Sequence, residues 1–152
     1  MITFSINRYN PNEPAEDLDQ GEIVLCNGKT KLSTGSTMLY LSITLLIDGV
    51  VSLGKTKRKY EFIPIDRSFS ISLLKHKKNI KIMYKKEIFT QASLIEIAQA
   101  LDEGLHEFLS KASNNPAQPG AIALDLADSK IALKALIDSI NKPKNKSTQN
   151  YL

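Results

Sequence analysis

Tryptophan is absent from this chain, cysteine occurs once, histidine twice, and five tyrosines and five phenylalanines are the whole aromatic content of 152 residues. So few aromatics make an aromatic stacking platform for single-stranded nucleic acid an unexpected feature. The lone thiol, Cys26, excludes an internal disulfide and suits a reducing compartment. Set in an apolar strand pattern, it reads as a small core residue, since a reactive thiolate would need a basic neighbour. One cysteine and two histidines do not make a usual zinc ligand set without carboxylates. Gly49, Gly54 and Gly104 are scattered, so there is no glycine-rich phosphate loop. Leu53-Gly54-Lys55-Thr56 lacks the upstream glycine of a P-loop and reads as a helix cap with a basic turn. No cofactor and no metal are therefore expected. The opening MITFSINRYNPNEP has no basic stretch followed by a long apolar core, so a secretory leader is not expected either. No apolar run reaches the ~20 residues that span a bilayer, so no membrane partner and a cytoplasmic location are expected.

What the chain does have is one long apolar run from Met38 to Leu53, MLYLSITLLIDGVVSL. At helical spacing Leu39, Ile43, Leu46, Val50 and Leu53 form a stripe that Leu45 and Ile47 widen. At period two Leu39, Leu41, Ile43 and Leu45 alternate with Tyr40, Ser42 and Thr44, and Asp48-Gly49 is a common hairpin turn. A fully buried segment satisfies both patterns. The helix is favoured, because the run lasts about four turns and Ser36 or Thr37 after Gly35 offers an N-cap.

Around this run the chain reads as α+β. Residues 2–6 alternate as a strand, and residues 8–20, with Pro11 and Pro14, form an exposed loop. Residues 22–26 and 29–33 flank Asn27-Gly28 as a hairpin with a type I′ turn. After the central helix, Gly54 suits its C-terminal cap. Residues 60–65, 68–74 and 80–84 then give a three-stranded antiparallel meander, with residues 87–89 as a short last strand. Ser93 and Glu96 make a capping box that opens a helix running to about Ala112. Residues 114–120 break the chain. A last helix follows from Ala121 to about Asn141, with Ile122, Leu126, Leu133, Leu136, Ile137 and Ile140 on its stripe. The expected arrangement is a single antiparallel sheet, built from the N-terminal strand, the hairpin and the meander, with the central helix and two C-terminal helices packed on it. It forms one domain over residues 1–141, with a flexible basic tail over 142–152.

The net charge of +4 is segregated. Residues 1–50 hold six acids against three bases, residues 51–90 eleven bases against three acids, and residues 91–141 seven acids against three bases. Candidate chemistry is sparse. His76 sits among lysines as a solvated turn residue, and His106, with Asp102 and Glu103 one turn earlier, reads as a surface helical neighbour rather than an acid–base pair. Asp48 is the candidate for a perturbed carboxylate, against the plainer reading of a polar residue near a helix end. No constellation specific to an enzyme is present, and a non-catalytic protein is expected. Two charged surfaces remain. The basic segment 55–86, with Lys57, Arg58, Lys59, Lys75, Lys77, Lys78, Lys81, Lys85 and Lys86, could converge on a sheet edge and contact nucleic-acid phosphates. Lysine at strand edges also serves to keep sheets from pairing.

Gly35-Ser36, the run Leu39, Ser42, Leu45-Leu46, Gly49-Val50 and Leu53, then Phe62, Asp66-Arg67-Ser68-Phe69 and Glu107-Phe108-Leu109 carry a resemblance. Over residues 20–140 the chain resembles small cytoplasmic immunity proteins of bacterial toxin–immunity systems, including those paired with contact-dependent growth inhibition toxins. The resemblance implies a non-catalytic protein that binds one cognate toxin domain and occludes its active site. Nucleases are frequent among such toxins, and their positive clefts would suit the acidic loop of Glu13, Glu16, Asp17 and Asp19 with Glu22. That loop is the favoured partner-binding surface. The basic turns at Lys57, Arg58, Lys59, Lys77 and Lys78 are the alternative, for an acidic toxin face or for nucleic acid.

Overall fold

The computed structural model describes residues 1–142. The run from Met38 to Leu53 is a helix: α1 covers Leu39–Leu53. Ten of its fifteen residues are buried, more than one stripe can account for, so it needs cover on several sides. Four strands precede it: β1 (Thr3–Arg8), β2 (Gln20–Cys26), β3 (Lys31–Ser33) and β4 (Thr37–Met38). Four follow: β5 (Lys59–Phe62), β6 (Ile71–His76), β7 (Asn79–Tyr84) and β8 (Glu87–Ser93). The chain then ends in α2 (Leu94–Leu109), a short 3-10 turn at Ala112–Asn114, and α3 (Ala121–Asn141).

The α+β class is as expected, but the strands form two antiparallel sheets and not one. In the first, β2 pairs with β1 on one side and with β3 and β4 on the other; the second runs β5-β6-β7-β8. The reason lies in α1. A helix buried nearly all round cannot lie on one face of one sheet, and the strands before and after it close separately, with α1 packed against β2, β5, α2 and α3. Both sheets and all three helices share one continuous core, which includes Leu46 and Leu101 at the centres of their stripes. The basic tail expected over 142–152 lies, beyond Lys142, outside the described residues.

Several local expectations are corrected by packing. Neither Ser36 nor Thr37 caps α1. Met38 holds the N-cap position without a side-chain bond, and the Leu39 amide donates instead to the Asp19 carbonyl at 2.9 Å. Gly54 does stand at the C-cap, but with φ −80 rather than a left-handed turn. A Cβ there would press on the Leu136 side chain of α3, so glycine at this position lets the two helices approach closely. Gly49 is no hairpin turn. It is a mid-helix glycine packed against the Tyr60 ring, and a Cβ there would clash with that ring. The Tyr60 hydroxyl donates to the Leu45 carbonyl at 2.8 Å, which locks β5 onto α1. Cys26 alternates outward on β2 and is half-buried, not a core residue. In the turn that follows, Gly28 takes positive φ but Asn27 does not, so it is not type I′. The Asn27 side chain accepts the Lys29 and Thr30 amides instead.

The meander forms with inward Ile71, Leu73, Ile80 and Ile82 all at most 2% exposed. β8 runs on past Phe89 to Ser93 and leads directly into α2, where the capping box forms as expected. The hydrogen bonds from Ser93 hold the Glu96 carboxyl below its usual range. α3 buries Leu126, Leu133, Leu136 and Ile137, while Ile140 is largely exposed. The β7–β8 connection places Lys85 (φ 50) and Lys86 (φ 69) both in the left-handed region, the type I′ pattern that asparagine and glycine occupy with least strain.

Two stability measurements check this account. Gly49→Ala would gain ~1 kcal/mol of helix propensity in an open helix. Here urea unfolding should show a net loss of about 1–3 kcal/mol, because the Tyr60 ring must move. Replacing Lys85-Lys86 by Asn-Gly should raise stability by about 1 kcal/mol or more; an unchanged midpoint would mean that the turn is not the left-handed pair.

Candidate functional site

The acidic loop, the favoured binding surface in the sequence, turns out to be largely occupied with holding the fold. Arg8, the inward residue at the end of β1, is only 6% exposed. Its guanidinium donates to Asp19 Oδ2 at 3.1 Å, to the Ser113 carbonyl at 2.9 Å and to the Glu13 carbonyl at 2.7 Å. Asp19 also accepts the Glu16 amide, and its own carbonyl starts α1. Asp17 reaches across to α3, where its carboxylate accepts the Ile122 amide at 3.2 Å and, more weakly, that of Gly120. It supplies the cap that Gly120 lacks and puts negative charge at the positive end of α3. Glu22 accepts the Ser33 hydroxyl. Of the five acids, Glu13 and Glu16 are exposed, and their carboxylates have no partner among the described residues.

A hollow of about 370 Å³ beside this knot is lined by Asn7, Arg8, Glu107, Phe108, Lys111 and Asn114. It has polar walls, but Arg8 spends its N–H groups on the loop, and Asn114 donates to the Phe108 carbonyl while its own carbonyl accepts the Tyr40 hydroxyl at 2.6 Å. Burial pushes the Tyr40 phenol up to about 12, with the Arg8 guanidinium pulling it the other way. These groups satisfy one another and hold the turn after α2 against α1 and β1. The remaining titratable candidates are dispersed. His76 and His106 are exposed, and Asp102 pairs with Lys134 of α3 at 3.5 Å rather than with His106. Asp48 is exposed and accepts the Ser129 hydroxyl at 2.6 Å, so it is a helix-surface residue that ties α1 to α3. Among the described residues no group of three or more His, Cys, Asp or Glu side chains is placed to hold a metal ion. Gly54-Lys55-Thr56 follows the C-terminal, negative end of α1, the reverse of a phosphate cradle. No helix among the described residues is long and apolar enough to cross a membrane.

The basic segment behaves differently. Antiparallel pairing of β5 with β6 sets Lys59 opposite Leu74, and the Arg58 carbonyl accepts the Lys75 amide at 2.9 Å. The β6–β7 hairpin turns at Lys77-Lys78 just beyond, between His76 and Asn79. Lys57, Arg58 and Lys59 are thereby brought to the same end of the second sheet as Lys75, Lys77 and Lys78. None of them is within ion-pair distance of a carboxylate among the described residues. Lys81 lies on the outward face of the sheet. Lys85 and Lys86 do not join the cluster: they turn at the opposite end, where Lys85 Nζ stands 5.3 Å from the centre of the Tyr84 ring.

Sequence reasoning missed two things here. The buried Arg8 knot joins the nearby Glu13 and Asp19 to Ser113, 105 residues away, and the local sequence does not announce that closure. The outward residues Leu74, Met83 and Ile88 did leave a signal: apolar side chains at positions where the alternation of β6, β7 and β8 calls for polar ones. Comparison with family models, with curated proteins and with solved structures returns no significant match.

The division of labour within the acidic loop is measurable. Asp19→Asn leaves the buried Arg8 cation without its counter-charge and should cost about 3–5 kcal/mol in urea unfolding. Asp17→Ala should cost about 1 kcal/mol, as for a lost helix cap. Glu16→Ser should stay within about 0.5 kcal/mol of wild type. Equal small effects for all three would mean that the loop is a solvated surface after all.

Proposed function

We propose that this chain is a non-catalytic, toxin-neutralising binding protein of the immunity kind its sequence resembles, acting in the cytoplasm through the basic end of its second sheet. The observation that carries this choice of surface is the convergence, from two separate stretches of chain, of Lys57–Lys59 with Lys75, Lys77 and Lys78, none paired with a carboxylate among the described residues. Like charges gathered without counter-charges repel one another, and their summed field speeds capture of an oppositely charged partner and fixes its orientation. A turn lysine adds a second support. Lys77, within the cluster, takes positive φ, where glycine or asparagine would be less strained, so stability is given up where that charge stands. The acidic loop is the weaker candidate, because Asp17 and Asp19 are engaged within the fold, Glu22 accepts the Ser33 hydroxyl, and among the described residues Glu13 and Glu16 are left to meet a positive cleft. The partner is accordingly an acidic face of a toxin domain. The same six cations also suit the phosphates of nucleic acid, although arginine, the side chain best shaped for reading bases, is represented among them by Arg58 alone.

The test is co-expression with the toxin domain encoded immediately upstream. Wild type should protect the cells, and a folded variant carrying Glu at positions 57, 58, 59, 77 and 78 should not. Full protection by that variant would remove the basic end from the interface. No protection by wild type, together with salt-dependent retention on duplex DNA, would replace the toxin reading by the nucleic-acid one.

A further inference from the structure

We infer that the open, outward face of the second sheet is a docking surface for an acidic protein patch with an apolar centre, gripped by Leu74, Met83 and Ile88 inside a lysine rim. An antiparallel sheet with one face on the core presents polar residues on the other. The inward face here obeys, with Ile71, Leu73, Ile80 and Ile82 buried against the core. The outward face does not. Met83 stands opposite Ile88 on one side and Ser72 on the other, and Leu74 stands opposite Lys81, diagonal to Met83. Long side chains at these cross-strand and diagonal positions are within reach of one another, so the three belong to one apolar patch. Ile88 is 53% exposed, while Leu74 and Met83 are half-buried by their neighbours on the sheet. Among the described residues α1 meets this sheet from the inward side, where Tyr60 lies against Gly49, and Ile88 on the outward face stays exposed.

The rim decides the occupant. Lys59 and Lys81 flank Leu74 within the face, and the turn lysines stand at both ends of it, against Glu61 and Glu87 as the acids of these strands. An apolar centre within a charged, solvated rim is the anatomy of a protein–protein interface, and methionine is enriched in such centres. Nucleic acid fits less well. Aliphatic side chains offer a phosphate backbone neither charge nor a hydrogen-bond donor, and they give bases no aromatic plane to stack on. A protein surface with carboxylates around an apolar projection satisfies both parts at once. That the partner is a toxin domain rests on the function proposed above; the face itself is argued from the register alone.

The experiment uses the full chain with two probes, the toxin domain encoded upstream and a DNA duplex of about 20 base pairs, long enough for several phosphate contacts. Met83→Glu with Ile88→Glu should weaken toxin binding by at least about thirtyfold, the loss typical of a central contact residue. Lys59→Ser with Lys81→Ser should mainly slow association, more so at low salt. If the double glutamate variant fails to fold, Ile88→Glu alone, at the most exposed of the three positions, carries the test. Toxin bound equally by wild type and the folded variant overturns the docking face but leaves the toxin-neutralising function standing. Duplex bound and toxin not bound by wild type overturns both, as does binding of neither probe.

Discussion

A helix that is apolar on nearly every side has to be enclosed, and α1 imposes that requirement on the whole molecule. Its few polar groups set how the enclosing layers register against it. Ser42 is fully buried, and its hydroxyl is paired with the Thr37 hydroxyl at 2.8 Å and with the Ile65 amide at 3.0 Å. Thr37 also donates to the Ile65 carbonyl, so β4 and the loop after β5 are pinned at one point of the helix. Tyr40 reaches the Asn114 carbonyl beyond α2, and Asp48 takes the Ser129 hydroxyl of α3. Each polar residue therefore faces a different layer. Apolar packing alone tolerates sliding and rotation, whereas an unmade buried hydrogen bond costs about 1–3 kcal/mol. The polar contacts are what give this enclosure a single register.

The same requirement explains the acidic loop. The last residue of β1, the turn after α2 and the N-terminus of α3 all come near the beginning of α1, and the chain crosses between them at residues 9–19. Arg8 is the tie. Backbone carbonyls of Glu13 and Ser113 and the Asp19 carboxylate surround its guanidinium, so a buried cation is kept only because its donors are matched. Acids that in the linear chain look like a solvated cluster are in the fold a counter-charge and a helix cap. Their apparent surplus of negative charge is partly cancelled by Arg8 and by the positive end of α3.

How much of this could be read from the residues depends on the range of the interaction. The capping box of Ser93 and Glu96, the stripe of α2, that of α3 up to Ile137 and the inward alternation of the meander are local patterns, and they stand where expected. The double periodicity of the run from Met38 to Leu53 was informative in its ambiguity, since a segment that fits both templates is one buried on all faces. What that burial demands of the remaining strands, two sheets in place of one, is not a local property. Nor is the role of Gly49 or Gly54, each fixed by a side chain (Tyr60 or Leu136) that arrives from elsewhere in the chain. The convergence of Lys57–Lys59 with Lys77-Lys78 needed only the β5–β6 register, which a meander implies. The occupation of Asp17 needed contacts about a hundred residues distant, and that of Asp19 needed the burial of Arg8.

Lysine on a sheet edge or turn has a standing explanation, protection against strand-to-strand aggregation, and the two roles make different demands on position. Protection needs charge on the exposed backbone edges, here β5 and β8. β5 meets the demand with Lys59 at its start and Pro64 beyond its end, and at β8 the Asn27 side chain donates to the Phe89 carbonyl at 2.8 Å. The other cations stand elsewhere. Lys81 lies in a central strand on the outward face, and Lys77, Lys85 and Lys86 occupy left-handed turn positions where a neutral glycine would be less strained and would guard the edges no worse. Edge protection accounts for Lys59 and leaves these unexplained. They share one property, that they ring the face on which Leu74, Met83 and Ile88 interrupt the polar alternation. Apolar residues in the middle and strained or centrally placed charges around them are two departures from the stability optimum on the same side of the same sheet. Departures of this kind concentrate where a surface is shaped for something other than folding.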